Sequence, residues 1–201
     1  MGTRLRVGLA LGVLASVLLL GGCLFNAFQT ARMLQAGNMS MVIGSGLMDV
    51  GIDENAAWAA TPQARLAFGL SDKVNLGLHT GVMMPLSTGD PGWMGFAADL
   101  KFGVINDPES ISVALGVGGG SGIHFLGWGL FGGIYVDLNV LPVFFVYQPT
   151  IPMSGESFTV LHDVTLGVSL SLSDRARILL EVDTRNISQV MSFGLGFEAG
   201  F

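Results

Sequence analysis

From Met39 to the last residue, apolar side chains recur at every second position, which is the period of a β-strand and not of a helix. Val74, Leu76, Leu78, Thr80 and Val82 alternate with Lys73, Asn75, Gly77, His79 and Gly81. Met94, Phe96, Ala98, Leu100 and Phe102 alternate in the same way with Gly95, Ala97, Asp99, Lys101 and Gly103. Turn-forming residues cut this pattern into ten segments: 39–48, 61–70, 73–83, 94–105, 110–119, 128–140, 143–150, 158–172, 175–184 and 189–201. A helical reading of Ala56 to Leu66 fails at Pro62, so that strand is expected to start near Thr61. The connections alternate in length. Ser71-Asp72, Asn106 to Glu109, Leu141-Pro142 and Ser173-Asp174 are tight, and the others are mostly longer. Segment 143–150 carries the weakest pattern, and without it eight strands remain as the alternative count.

The second face of these strands decides the class. It holds small residues, mostly Gly, Ser and Ala, with a few charges, whereas an ordinary sandwich turns larger charged residues to water. A crowded, small, polar face belongs inside a narrow barrel, with the bulky apolar face toward lipid. The expected fold is therefore all-β: an antiparallel up-and-down transmembrane β-barrel of about ten strands. A soluble lipid-carrying barrel would show the same alternation with the faces reversed. Composition points the same way. Half the residues are hydrophobic, 12% are charged, mean hydropathy is +0.61 and 30 residues are Gly. A soluble domain carries about 25% charged residues.

The N-terminal region has a different organisation. Arg4 and Arg6 precede an apolar run from Val7 to Leu20, too short for the roughly 20 apolar residues of a spanning helix. Leu20-Gly21-Gly22-Cys23 follows, and Cys23 is the only cysteine, so no disulfide is expected. The stretch resembles a bacterial lipobox, which implies a signal peptide over 1–22 and a covalent lipid on Cys23. Loss of Arg4 and Arg6 with that segment takes the formal charge from −6 to −8. Such an acidic chain disfavours nucleic acid as a partner. Residues 23–37 read as a lipid-anchored tether, with Phe25, Phe28 and Leu34 touching the membrane, and 38–201 as the barrel domain. Thr30-Ala31-Arg32-Met33-Leu34-Gln35-Ala36-Gly37 resembles a stretch found at the start of lipid-anchored outer-membrane barrel proteins. Gly196, Phe197, Ala199 and the terminal Phe201 are similar to the C-terminal recognition strand of outer-membrane barrels, which implies handling by the barrel-assembly machinery. Together these resemblances place the chain in the bacterial outer membrane, anchored at Cys23 on the periplasmic side, with membrane lipid as its surroundings.

Candidate chemistry is sparse. No phosphate-binding, zinc-protease, paired-cysteine or calcium-loop motif occurs, and no cofactor or metal is expected. Gly118 to Gly122 reads as a flexible external loop, since no helix follows to make a phosphate cradle. Alternation turns Arg65, Asp99, Lys101, Asp137, Asp163, Arg177, Glu181, Asp183 and Glu198 inward. Buried charges are costly unless paired, so these predict a salt-bridge network filling the lumen, or alternatively the lining of a thin polar pathway. Trp58, Trp93, His124 and Trp128 fall at the external rim, where they would form an interfacial girdle or a binding surface. A rim hydrolase would need a convergent His and acid, as in the omptin-like proteases. His162 and Asp163 are adjacent and alternate faces, so no enzymatic activity is expected. The expected function is a membrane barrel that is structural or passes small solutes, with an external-loop binding protein as the alternative.

Overall fold

The computed structural model describes residues 28–49, 58–86, 93–121, 128–153, 160–185 and 190–201. Ten antiparallel strands form one closed barrel: β1 (Met39–Asp49), β2 (Trp58–Ser71), β3 (Val74–Pro85), β4 (Trp93–Asn106), β5 (Ile111–Ser121), β6 (Trp128–Leu138), β7 (Val143–Pro152), β8 (Leu161–Ser173), β9 (Ala176–Arg185) and β10 (Val190–Gly200). Each strand pairs with its neighbours in sequence, and β1 closes the ring on β10 through Ser40 opposite Gly200 and Met48 opposite Ser192. Closure leaves no edge unpaired, which is the condition for a sheet to sit in hydrocarbon. Segment 143–150 is the strand β7, so the count is ten and not eight. Among the described residues no helix is long and apolar enough to cross a membrane.

Several strand boundaries differ from the sequence expectation: β2 starts at Trp58 and not near Thr61, because Pro62 is accommodated within the strand, β8 starts at Leu161 and not at 158, and two further ends have visible causes. Gly118, Gly119, Gly120 and Ser121 belong to β5, where their backbones pair with both β4 and β6, so the glycine run is a strand end before it becomes a connection. At β6 the strand stops at Leu138, short of Val140. Leu141 N–H bonds Leu138 O at 2.9 Å, and Asn139 Nδ2 donates to Asp107 O at 2.5 Å, which turns the chain early and ties two neighbouring tight turns together. Three register shifts, at Gly69/Ser71, Gly103/Ile105 and Ser171/Ser173, all lie beside the tight turns, and the second turns both Val104 and Ile105 outward.

Facing follows the alternation. On neighbouring strands Leu78, Phe96, Leu100 and Phe102 are 44%, 57%, 37% and 41% exposed, while Asp99 and Lys101 between them are 2% and 3% exposed. The bulky apolar face is outside and the charged face inside, opposite to a soluble carrier barrel. The interior has its own apolar cluster, in which Val42, Ala114, Tyr135, Phe144, Val146 and Leu179 of the wall enclose Phe28, Ala31 and Met33. Those three residues do not belong to any strand.

Candidate functional site

The interior is occupied by the chain's own residues 28–37, which run up the inside of the barrel as an extended strap. At the tight-turn end the strap is tied by Gly37 N–H to Gly69 O at 2.9 Å and by Ala36 N–H to Asp72 Oδ1 at 3.1 Å. Gly37 has φ +82°, a left-handed conformation that suits glycine and reverses the chain into β1. Higher up, inward side chains from three strands grip the strap's backbone. Lys101 of β4 donates to Thr30 O at 2.7 Å and Arg32 O at 3.1 Å. Asp137 of β6 accepts from Ala31 N–H at 2.7 Å. Glu181 of β9 accepts from Phe28 N–H with both oxygens, at 3.0 and 2.9 Å.

Phe28 is 3% exposed and lies inside the barrel, not against the membrane as the tether reading expects. The reason is a hole in the wall's inner face at mid-height. Gly44 of β1 faces Gly196 of β10, and a Cβ on either would come within 2.7 Å of the Phe28 ring. The two glycines and the aromatic ring are complementary parts of one packing unit. Leu34, the other residue expected at lipid, is half-buried at the tight-turn end, and Phe25 and Cys23 lie outside the described residues.

The inward charges are arranged in three groups. In the first, Arg65 Nη2 reaches both oxygens of Asp99 at 3.3 Å, and His79 Nε2 lies 2.6 Å from Asp99 Oδ1. The same nitrogen accepts from Arg65 Nε at 3.0 Å in one tautomer, donates to the Asp99 carboxylate in the other, and lies 3.2 Å from Gln29 Nε2 of the strap. In the second, Arg177 pairs with Glu198 at 2.6 Å and donates to Ser169 Oγ at 3.3 Å. In the third, Asp183 accepts from the hydroxyls of Thr165 and Ser192. Lys101 stands apart from side-chain pairing: its ammonium sits 5.6 Å from the centre of the Tyr135 ring while bonding the strap. Asp163 is half-buried near the loop end, opposite Gln148 and Arg185 in register.

All nine charges therefore lie on the inward face or its rim, but their expected partners change. Asp137, Glu181 and Lys101 hold the backbone of the strap, and hydrogen bonds to ionised groups are the strong ones in a dry interior. The sequence reading took the strap for part of a membrane-side tether, put His79 on the polar face without a role, and gave Gln29, Thr165 and Ser192 none. The strap lacks strand periodicity because it is not in the ladder. Small residues on the polar face are visible in the sequence, but that Gly44 and Gly196 adjoin and leave one space to be filled appears only when β1 closes onto β10.

At the loop end, Trp58 and Trp128 open β2 and β6 and are exposed, Trp128 at 69%. The backbone of Trp93 opens β4 opposite Met83, and His124 lies outside the described residues. His162 stacks on Tyr147 at 6.0 Å between ring centres and its Nδ1 meets the Tyr147 hydroxyl at 2.7 Å. Tyr147 alternates with the inward Phe144, Val146 and Thr150, so this pair occupies the outer face, away from Asp183.

No protein-family model and no curated protein matches the chain. Among solved structures it is similar to the N-terminal β-barrel domain of Pseudomonas aeruginosa OprF, at 10% identity and a TM-score of 0.42, covering 84% of this chain and 100% of that one. The KdgM porin in complex with disordered oligogalacturonate matches at 12% identity and 0.41, covering 81% and 99%. The outer membrane protein OprG from Pseudomonas aeruginosa matches at 12% identity and 0.36, covering 86% and 99%. Strand count, register and lumen contents rest on this chain's own hydrogen bonds.

Proposed function

We propose that the chain is an outer-membrane β-barrel closed at mid-height by its own N-terminal strap, a membrane-embedded structural body and not an open solute channel. The outward apolar face supports the membrane reading, because dozens of exposed apolar side chains would be costly in water. Short connections at one end and longer ones at the other match the periplasmic turns and external loops of such barrels, with Trp58 and Trp128 at the upper interface. The observation that carries closure is the grip on the strap by Lys101, Asp137 and Glu181 from three strands across the lumen. An ion crossing this plane would have to displace ionised side chains and backbone groups that already satisfy one another. The lipid on Cys23 is part of this proposal and adds a second hold on the membrane.

A planar-bilayer recording on purified protein tests it. The intact chain should give no steady conductance, and the double variant Lys101→Met/Phe28→Ala, which removes the grip and the ring, should. Steady ohmic conductance from the intact chain would overturn closure.

A further inference from the structure

The wall reads the strap in two ways. Its charged side chains hold the main chain: Glu181 accepts from Phe28 N–H, Asp137 accepts from Ala31 N–H, and Lys101 donates to Thr30 O and Arg32 O. Any extended segment without proline at those two amides offers the same groups, so these bonds set a path and choose no sequence. Sequence is read by shape. The Phe28 ring fills the seat at Gly44 and Gly196. Ala31 is wholly buried in the apolar cluster. Met33 lies against Gly103, where a Cβ would stand 2.7 Å from Met33 Cγ. Arg32, between them, is exposed and borders the open volume of about 800 Å³ at the tight-turn mouth. That opening also reaches Asp137, so the grip can be approached from the tight-turn side.

Two details of Phe28 fit the start of a chain better than its interior. Both oxygens of Glu181 converge on the Phe28 nitrogen, at 3.0 and 2.9 Å, and a single amide hydrogen cannot point straight at both. An α-ammonium has three hydrogens and a full charge, and would give both oxygens charge-assisted bonds. Phe28 also has φ +38°, a left-handed conformation that a bulky residue rarely adopts. A residue that begins a chain has no preceding peptide and so no such strain. We infer that the lumen is a binding site for a peptide that begins with an aromatic residue, and that the strap occupies this site in its own chain. The fourth position of such a peptide is small and the sixth is flexible and apolar, as Ala31 and Met33 are. The inference rests on the closed lumen proposed above, in which the strap is the seated occupant. The peptide enters amine first through the tight-turn mouth and stops with its ammonium on Glu181, about 17 Å above the start of β9.

The test uses the full chain carrying Phe28→Ala/Ala31→Pro, which empties the seat and removes the amide that Asp137 holds, purified in detergent micelles. The probe is the synthetic peptide Phe-Gln-Thr-Ala-Arg-Met, the sequence of residues 28–33, with a dye at its carboxyl end, and fluorescence anisotropy reads binding. It should bind saturably, at least about tenfold more tightly than its N-acetylated form and than the form with Ala at the first position. Adding Glu181→Gln should remove the preference for the free amine. Equal binding of the three peptides, or binding of none, overturns the inference. If circular dichroism shows that the double variant does not fold, the full chain carrying Phe28→Ala alone takes its place, and the same outcomes decide. The intact chain, with its strap seated, should bind the peptide at least about tenfold more weakly than the variant. If it binds equally well with the same preference for the free amine, the closed lumen fails and the peptide site stands.

Discussion

Lys101→Met removes the ammonium that holds the strap while keeping a stem of similar length. In the native chain that ammonium makes two bonds to strap carbonyls, at 2.7 and 3.1 Å, and lies over Tyr135. Hydrogen bonds to a charged group contribute about 1.5–3 kcal/mol each, and a desolvated cation over an aromatic ring adds about 1–2 kcal/mol. Against this, the variant no longer buries an ammonium, which recovers several kcal/mol of desolvation. The same change leaves Thr30 O and Arg32 O without their donor and the lumen more acidic. The ammonium bonds neutral carbonyls, so the expected net loss is that of two buried acceptors left unsatisfied, about 1–3 kcal/mol each. Urea unfolding in lipid vesicles, followed by tryptophan fluorescence, measures it. Lys101→Arg keeps the charge and should recover much of the loss, which separates the ionic grip from packing. A Lys101→Met shift under about 1 kcal/mol would refute the reasoning, because an ammonium already solvated by lumen water gives up little when it is removed.

Three further outcomes follow from the same geometry. Gly196→Val should push the Phe28 ring from its seat, since even a Cβ there would stand 2.7 Å from the ring, and bilayer recordings should then show a conductance that the intact chain lacks. Leu78→Arg, at an exposed position on the outer face, should cost roughly 2–4 kcal/mol in the same vesicle assay, and a smaller change would mean that position is not in the hydrocarbon. Cys23→Ser should abolish incorporation of a labelled fatty acid, and undiminished label would remove the lipid from the proposal.

The barrel was legible because its information is local and repeated. A side chain at every second position must face either lipid or lumen, and the difference between Leu100 outside and Lys101 inside is written in residue type. Turn chemistry at Asp72, Asp107, Pro142 and Asp174 punctuated the same register, so strand number and facing followed from short windows of chain. The strap was not legible by that route. Thr30 to Met33 make no ladder, show no period, and are held through backbone groups that every residue possesses. Asp137, Glu181 and Lys101 could be assigned to the interior from alternation alone, but alternation says nothing about what they face across the lumen. Closure of β1 onto β10 brought Gly44 and Gly196 together, over 150 residues apart in sequence, and only that juxtaposition makes the seat that holds Phe28. Local periodicity thus determined the wall and its two faces, while the contents of the lumen were decided by which distant side chains the closed ring aims at one another.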